Sequence, residues 1–553
     1  MILAQFSSMP AQYIFRHLSP ALAGISIAMF AVNISFYRSL YYSALISQLL
    51  YAGAISFRGF FSDVDGLNGK CSKTSNSLSC RDFGDGHFCN AFPPGEVKCS
   101  WDSTAELLSS SDQVFAAPHT DYIATNVLKV GPATDNINFP PISLAVILLF
   151  VWVGVICLIY AGSSKKLTTK MLSKVFMVLK CVSIGVTVLN MIIALATRAE
   201  GGNGIQFFLK PDFRAILKPE AWSDAVTHVL FSLCLGDGTI HKISSHNEFS
   251  VNALYHAMIV SVTDILMSFV AGITYFASVG SISVHLYGMS HPRLRIQRVL
   301  KHGFPLALTA FPEHVMSTAD NFWSTALTSA HYFSLAKSGI VNLAMYANLT
   351  ISSVMSIVTC WMKIGNRNMV RGLVSVILCV LCFLSSLILI APAGVYLYNL
   401  VIEYSNMAIL VICLAEILTL VYGYGFGRFL INIEAMIMKD TELMLSITSI
   451  GLWYYVLTPI FLIFAIINQF LFNEEAIISG YKFPRSFEMF GWTIFASSIM
   501  MIPSVVLLHL FLAEFNPNVI GAAFEPTNFW GPADREDRKL SERKARAVNK
   551  TFI

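Results

Sequence analysis

The sequence predicts an all-α, polytopic membrane protein, and three observations carry that expectation. Apolar runs long enough to cross a bilayer recur about ten times along the chain. Charged residues are scarce, 13% of 553, against about 25% in soluble domains, while 55% are apolar and the mean hydropathy is +0.62. Cysteine use is split: Cys71, Cys80, Cys89 and Cys99 share one polar loop and the others lie in apolar segments. Four clustered cysteines whose spacing matches no zinc pattern fit disulfides in an oxidising compartment, so that loop is expected outside the cell. The formal charge of +4 is spread along the chain and argues against a nucleic-acid partner. No cleavable signal peptide is expected, because Met1 leads into a short mixed segment without a basic head, an apolar run and a small-residue cleavage site.

Taken in order, the first run covers 20–57 and is long enough to tilt or protrude. The polar cysteine loop, 58–140, follows. Pro140-Pro141 opens a second run to 160, and a third covers 175–197. An interrupted segment at 222–246 precedes runs at 255–286, 321–361, 373–390, 404–424, 447–472 and 487–512. A polar tail, 513–553, ends the chain. With the cysteine loop outside, both the N-terminus and the tail fall inside. The basic residues agree in part: Lys165, Lys166, Lys170, Lys174, Lys363, Arg367 and Arg371 fall inside, whereas Arg293, Arg295, Arg298 and Lys301 fall outside against the positive-inside tendency.

The interrupted segment is the most informative. Trp222 to Leu235 reads as half a membrane helix, with Asp224 placed to cap its first turn. Gly236-Asp237-Gly238 then sets two flexible residues and a carboxylate near the expected bilayer midplane. A helix that unwinds there frees carbonyls and amides to hold a solute. A short helix followed by a surface turn is the competing reading.

The tail mixes Arg535, Arg538, Lys539, Arg543, Lys544, Arg546 and Lys550 with Asp534, Glu536, Asp537 and Glu542. It reads as a solvated, disordered tail, with contact to anionic lipid or a cytosolic partner as the alternative. Tyr422-Gly423-Tyr424-Gly425-Phe426-Gly427 ends a span and lacks the strand–turn–helix setting of a nucleotide loop. The sequons at Asn33, Asn348 and Asn549 fall in spans or on the inner side and are not expected to be glycosylated.

Several stretches carry a resemblance. Trp222-x-Asp224-Ala225 followed by Phe231-Ser232-Leu233 resembles the sixth helix of the neurotransmitter:sodium symporter family, solute carrier family six. The stretch 204–212 precedes it as in that family. Segment 261–272 resembles helix seven, Pro305 to Pro312-Glu313 the extracellular re-entrant stretch, and Phe322-Trp323 through Lys337-Ser338 helix eight. Tyr41-Tyr42 matches the tyrosine pair of helix three, and Cys71 and Cys80 have the family's loop-disulfide spacing. The resemblance covers nearly the whole chain in the right order. It implies an inverted-repeat fold of the bacterial leucine transporter type, a multi-pass plasma-membrane location, and coupling of an amino acid or amine to sodium, often with chloride. Gln5-Phe6-Ser7-Ser8 resembles the inner end of helix two, so helix one and most of helix two have no counterpart. An incomplete N-terminus and a natural short form both fit. The expected division is then a stub of helix two with a cytoplasmic loop at 1–19, a transporter domain of helices three to twelve (about ten spans) at 20–512, and a cytoplasmic tail.

The resemblance also implies a site. Arg38, Tyr42, Phe231, Ser232, Asp237, Ser338 and Gly339 map to substrate positions. The sodium positions map to Ser232, Asp264, Lys337 and Ser338, and the chloride positions to His228, Ser232, Asp264 and Ser268. Lys337 stands where the family's Asp-Ser pair has its acid. An ammonium about 4 Å from a sodium ion costs roughly 4 kcal/mol at an effective dielectric near 20, so Lys337 is expected to replace the ion. Asp264 brings a fixed negative charge to the chloride region, and His228, a lone histidine in a span, reads as a hydrogen-bonding group there. Arg38, Lys337, Asp237 and Asp264 are together expected to form an internal ion-pair network. The family's gate acid is replaced by Ile402, beside Glu403. Sodium and chloride occupancy are therefore in doubt, and no other cofactor is expected. Two functions follow: a secondary transporter with altered ion coupling, or a transport-silent receptor-like or scaffolding protein. An enzyme is not expected, since no nucleophile–base pair or metal cluster stands outside the spans.

Overall fold

The computed structural model describes residues 1–30, 34–61, 70–71, 80, 116–129, 139–163, 169–196, 201–211, 213–287, 292–300, 304–318, 321–361, 367–392, 394–437, 451, 453–471, 477–478, 481–482 and 485–551. Cys89, Cys99, Asn33, Lys165, Lys166, Lys301, Lys363 and the start of the predicted 447–472 run lie outside the described residues.

Helices dominate. Two short ones, α1 (Ile2–Ser7) and α2 (Ala11–Leu18), precede α3 (Gly24–Phe30) and α4 (Ile34–Arg58), which together fill the first predicted run. The short α5 (Pro118–Tyr122) follows, then α6 (Ile142–Ser163), α7 (Thr169–Ala196) and α8 (Gly201–Leu209). The interrupted segment is α9 (Pro219–Ser232) and α10 (Thr239–Ser244). Next come α11 (Ala253–Tyr287), α12 (Pro292–Val299), α13 (Phe304–Thr318), α14 (Asn321–Trp361), α15 (Arg367–Leu389) and α16 (Gly394–Leu418). The chain ends with α17 (Phe426–Ile437), α18 (Thr458–Leu471), a two-residue hairpin pairing Ile477–Ile478 with Tyr481–Lys482, α19 (Arg485–Ile499), α20 (Met501–Leu512), α21 (Pro517–Phe524) and α22 (Arg535–Thr551).

Six described helices are long and apolar enough to cross a membrane, or seven with α19 and α20 taken as one span bent by 43°. The difference from about ten runs has a physical cause. The 41-residue α14 turns Thr325, Thr328, Ser329 and Ser334 inward, where they are buried, and this polar face lowers its hydropathy. Halves such as α9 and α18 are too short to span alone.

Two apolar clusters meet inside the bundle. One joins α4, α6, α14, α15 and α16 through Trp152, Tyr332, Leu343 and Met407; the other joins α2, α3, α14, α16 and α17 through Phe15, Met29, Tyr346 and Phe429. Tyr42 packs against both. Against lipid, apolar burial alone does not drive helices together, so close packing and internal hydrogen bonds must. Accordingly Gln5 of α1 donates to the carbonyls of Glu248 (2.9 Å) and Val251 (2.6 Å), tying the start of the chain to the connection after α10.

Two expectations are corrected here. Asp224 does not cap α9: the helix starts earlier, with Lys218 at the N-cap and Pro219 in the first turn, so Asp224 lies inside it. The tail is not a coil. It folds into α21 and α22 and packs back on the bundle, with the Thr527 N–H donating to the His17 carbonyl (2.9 Å) and the Trp530 indole donating to Tyr424 (3.2 Å). The expected bond between Cys71 and Cys80 is present, with their Cα atoms 5.9 Å apart.

Candidate functional site

The site begins at the gap between α9 and α10. The α9 helix ends at Ser232, and Cys234, Gly236 and Gly238 take φ values of 52°, +71° and +79°. Glycine adopts that left-handed region freely, whereas a side chain there is strained. At Gly236 a methyl would also fall 2.7 Å from Cys413 Sγ. The Gly-Asp-Gly triplet thus forms a true interruption rather than a surface turn: Gly236, Asp237 and Gly238 are all buried.

Asp237 is fully buried and its carboxylate is satisfied from two sides. The Thr239 N–H donates to Oδ1 (2.9 Å), and Arg38 Nη1 donates to Oδ2 at 2.6 Å. Arg38, 1% exposed, reaches the gap from α4. Its Nη1 also donates to the Tyr346 hydroxyl (3.0 Å), and its guanidinium carbon sits 5.0 Å from the Phe231 ring centre and 5.6 Å from that of Tyr346. Opposite charge and two aromatic faces therefore compensate the desolvation of this cation. The Arg38 Nε and Nη2 groups, by contrast, are buried without a hydrogen-bond partner among the described residues. Nε and Nη2 form the guanidinium edge that meets a carboxylate with two parallel N–H···O bonds.

The other expected substrate positions surround this pair. Tyr42 stacks on Tyr41 (5.0 Å between ring centres) and lies 5.4 Å from Tyr346, while Phe231 lies 6.5 Å from Tyr41. Ser232, at the last turn of α9, donates from its hydroxyl to Asp264 of α11. Gly339 permits the close crossing of α14 over α4, since a methyl there would meet Ile46 at 2.7 Å.

The four-member charge network is not formed. Arg38 and Asp237 pair with each other, and Asp264 is held by Ser232, away from that pair in bonding terms. Lys337, half-buried on α14, makes no hydrogen bond or ion pair with the described residues, so it does not supply the cation beside Ser338. That cation is Lys180 of α7, whose Nζ donates to Ser338 Oγ at 2.7 Å. Of the chloride positions, Ser232 and Asp264 come together, whereas His228 and Ser268 are exposed side chains that join neither. Sequence reading also missed a contact that holds α10: His241 Nε2 lies 2.9 Å from Glu416 Oε1 of α16. The pairing joins residues far apart in the chain, and only their placement in apolar runs hinted at it.

With this geometry in hand, the comparisons are unambiguous about ancestry. The chain is 26% identical over 550 residues to the sodium- and chloride-dependent neutral and basic amino acid transporter B(0+) of Mus musculus, an alignment covering 96% of this chain and 80% of that one. It is 24% identical over 556 residues to the sodium-dependent nutrient amino acid transporter 1 of Drosophila mojavensis, covering 98% and 78% respectively. Among solved structures, that of MhsT in complex with L-phenylalanine matches with a TM-score of 0.54 and 14% identity over 84% of this chain and 87% of that chain, a likeness of fold. The family model described as the sodium:neurotransmitter symporter family matches residues 1–513. A multi-pass, leucine-transporter-type helical bundle broken at Gly236–Gly238, matched along all but its last helices, makes this chain a member of the sodium:neurotransmitter symporter family of membrane transporters.

Proposed function

We propose that the chain moves a small amino-acid-like solute across the plasma membrane, and that the solute's carboxylate docks on the free Nε–Nη2 edge of Arg38. The observation that carries this reading is a buried guanidinium, one edge of which is bound to Asp237 and the other left without a partner at the helix gap. Unmet buried donors on a charged group cost free energy that a bound carboxylate returns. The aromatic groups of Tyr42, Phe231 and Tyr346 supply the apolar wall of such a site. The relatives' names, which specify amino acids, support the same class.

In this reading Asp264, held by Ser232, supplies a fixed negative charge in place of chloride. The face bearing the Cys71–Cys80 bond lies outside, and the Lys- and Arg-rich α22 lies inside, where it suits an anionic lipid surface. Catalysis of a covalent reaction forms no part of the role.

Uptake of a labelled panel into proteoliposomes, with sodium replaced by choline in parallel, tests the proposal. Carboxylate-bearing solutes are expected to enter, and their decarboxylated amines to be rejected about 10²-fold or more, because an amine leaves the guanidinium edge unpaired. Arg38→Lys is expected to lose uptake by a similar factor. Equal uptake of acid and amine would refute the docking role.

A further inference from the structure

We propose that Lys180 is a tethered cation, seated on a three-oxygen site of α14 that would otherwise accept a free monovalent ion. Its Nζ lies 2.7 Å from Ser338 Oγ, 3.0 Å from Asn342 Oδ1 and 3.3 Å from the Ser338 carbonyl oxygen. An ammonium has three N–H donors, and these acceptors use them all. The oxygens come from one helix and are one turn apart.

The chemistry of this seat is unusual in one respect. All three ligands are neutral, and Lys180 forms no ion pair among the described residues. Nor does the position suit a charge: Lys180 is half-buried in the apolar span Lys174–Ala196, about 9 Å beyond its start. Elsewhere along the same α7–α14 seam the contacts need no lysine. Ser183 donates to the Ser334 carbonyl at 3.5 Å, and the Asn190 amide meets His331 Nδ1 at 2.9 Å. A glutamine at 180 would offer two N–H donors to the same oxygens without carrying a full charge into a span. What lysine adds is a third donor and the charge, and neutral hard oxygens converging on one point are the ligand set of a monovalent cation. Lys180 therefore does on α7 what a dissociable ion does elsewhere: it bridges two helices through a positive centre. Unlike an ion, it cannot leave.

This assignment stands apart from the choice of solute, so its test uses no transport. The full chain is purified in detergent, and its melting midpoint is read at equal ionic strength in sodium, methylammonium or choline chloride. Lys180→Ala vacates the seat. Its midpoint is expected to fall in choline and to be raised saturably, by about 2 °C or more, by sodium or methylammonium. The wild type and the Lys180→Ala/Ser338→Ala double variant are expected to show no such response. A Lys180→Ala midpoint that is the same in all three salts, or raised equally by all three, overturns the proposal. Should Lys180→Ala fail to fold, Asn342→Asp in the wild-type background decides the matter. A carboxylate facing an ammonium keeps or raises the midpoint, whereas a fall of several degrees means that Nζ carries no seated charge.

Discussion

Arg38 and Lys180 both bring a positive charge into the bundle, and they are held in opposite ways. Arg38 comes from α4, is almost wholly buried, and meets a carboxylate that is itself anchored by the Thr239 amide. Lys180 comes from α7, is half-buried, and meets only neutral oxygens of α14. The difference separates two tasks. A desolvated ion pair is locked, because parting it leaves each charge alone in a low dielectric. An ammonium on neutral oxygens gives up only hydrogen bonds when it moves. The broken helix is thus fixed to α4 by an ion pair, while α7 is held to α14 by hydrogen bonds to neutral groups.

The sharpest way to break this contrast is to remove the Asp237 charge. Asp237→Asn leaves Arg38 buried beside a neutral amide, and a loss of about 3–5 kcal/mol is expected in denaturant unfolding of the purified chain. The Arg38→Met/Asp237→Asn pair should lose clearly less than Asp237→Asn alone, and a double-mutant cycle reads the coupling. Additive losses would mean that the pair is not the lock described above.

A third ionisable group sharpens the comparison, because it has donors but no ion pair among the described residues. Glu313 of α13, outside the spans, accepts from the Thr120 amide (2.7 Å), the Thr120 hydroxyl (2.9 Å) and the His119 amide (3.3 Å). Burial pushes its carboxyl up to about 7 from 4.5, against the pull of those donors. The folded state therefore binds this proton more tightly than the unfolded chain does. The stability this supplies is complete below about 4.5 and is lost as pH rises toward 7, by up to about 3 kcal/mol. Glu313→Gln should flatten that part of the stability–pH curve, and an unchanged slope would exclude Glu313 as its source.

The smallest effect is expected at Lys337. Lacking a hydrogen bond or ion pair with the described residues, Lys337→Met should change stability by about 0.5 kcal/mol or less and leave any cation response untouched. A loss comparable to that of Lys180→Ala would reverse the roles given to the two lysines.

Much of the fold was legible because apolar runs and glycine punctuation are local signals. The 321–361 run became α14 at those bounds, and the Gly236–Gly238 gap appeared where two glycines flanked a carboxylate. The site was legible only in part. The resemblance maps Lys337, beside Ser338, onto the acid of the family's Asp-Ser pair, yet neighbours on a helix point about 100° apart. The oxygen of Ser338 faces α7, and its partner lies 158 positions away in sequence. His228 and Ser268 stand apart from Ser232 and Asp264 for a related reason: matching positions in a motif do not establish that side chains converge. In the tail, the mixture of charges was read as composition, whereas its docking depends on Trp530 and Thr527 outside the charged stretch.

The clasp between the two ends has a practical consequence. Thr527 on His17 and Trp530 on Phe6 and Tyr424 place the turn between α21 and α22 and the first two helices on one shared platform. Shortening the chain before position 527 would therefore strip support from α1, which in turn steadies the connection after α10 through Gln5. A reporter fused behind α22 would sense events at the opposite terminus, and trimming one end for expression would alter the other.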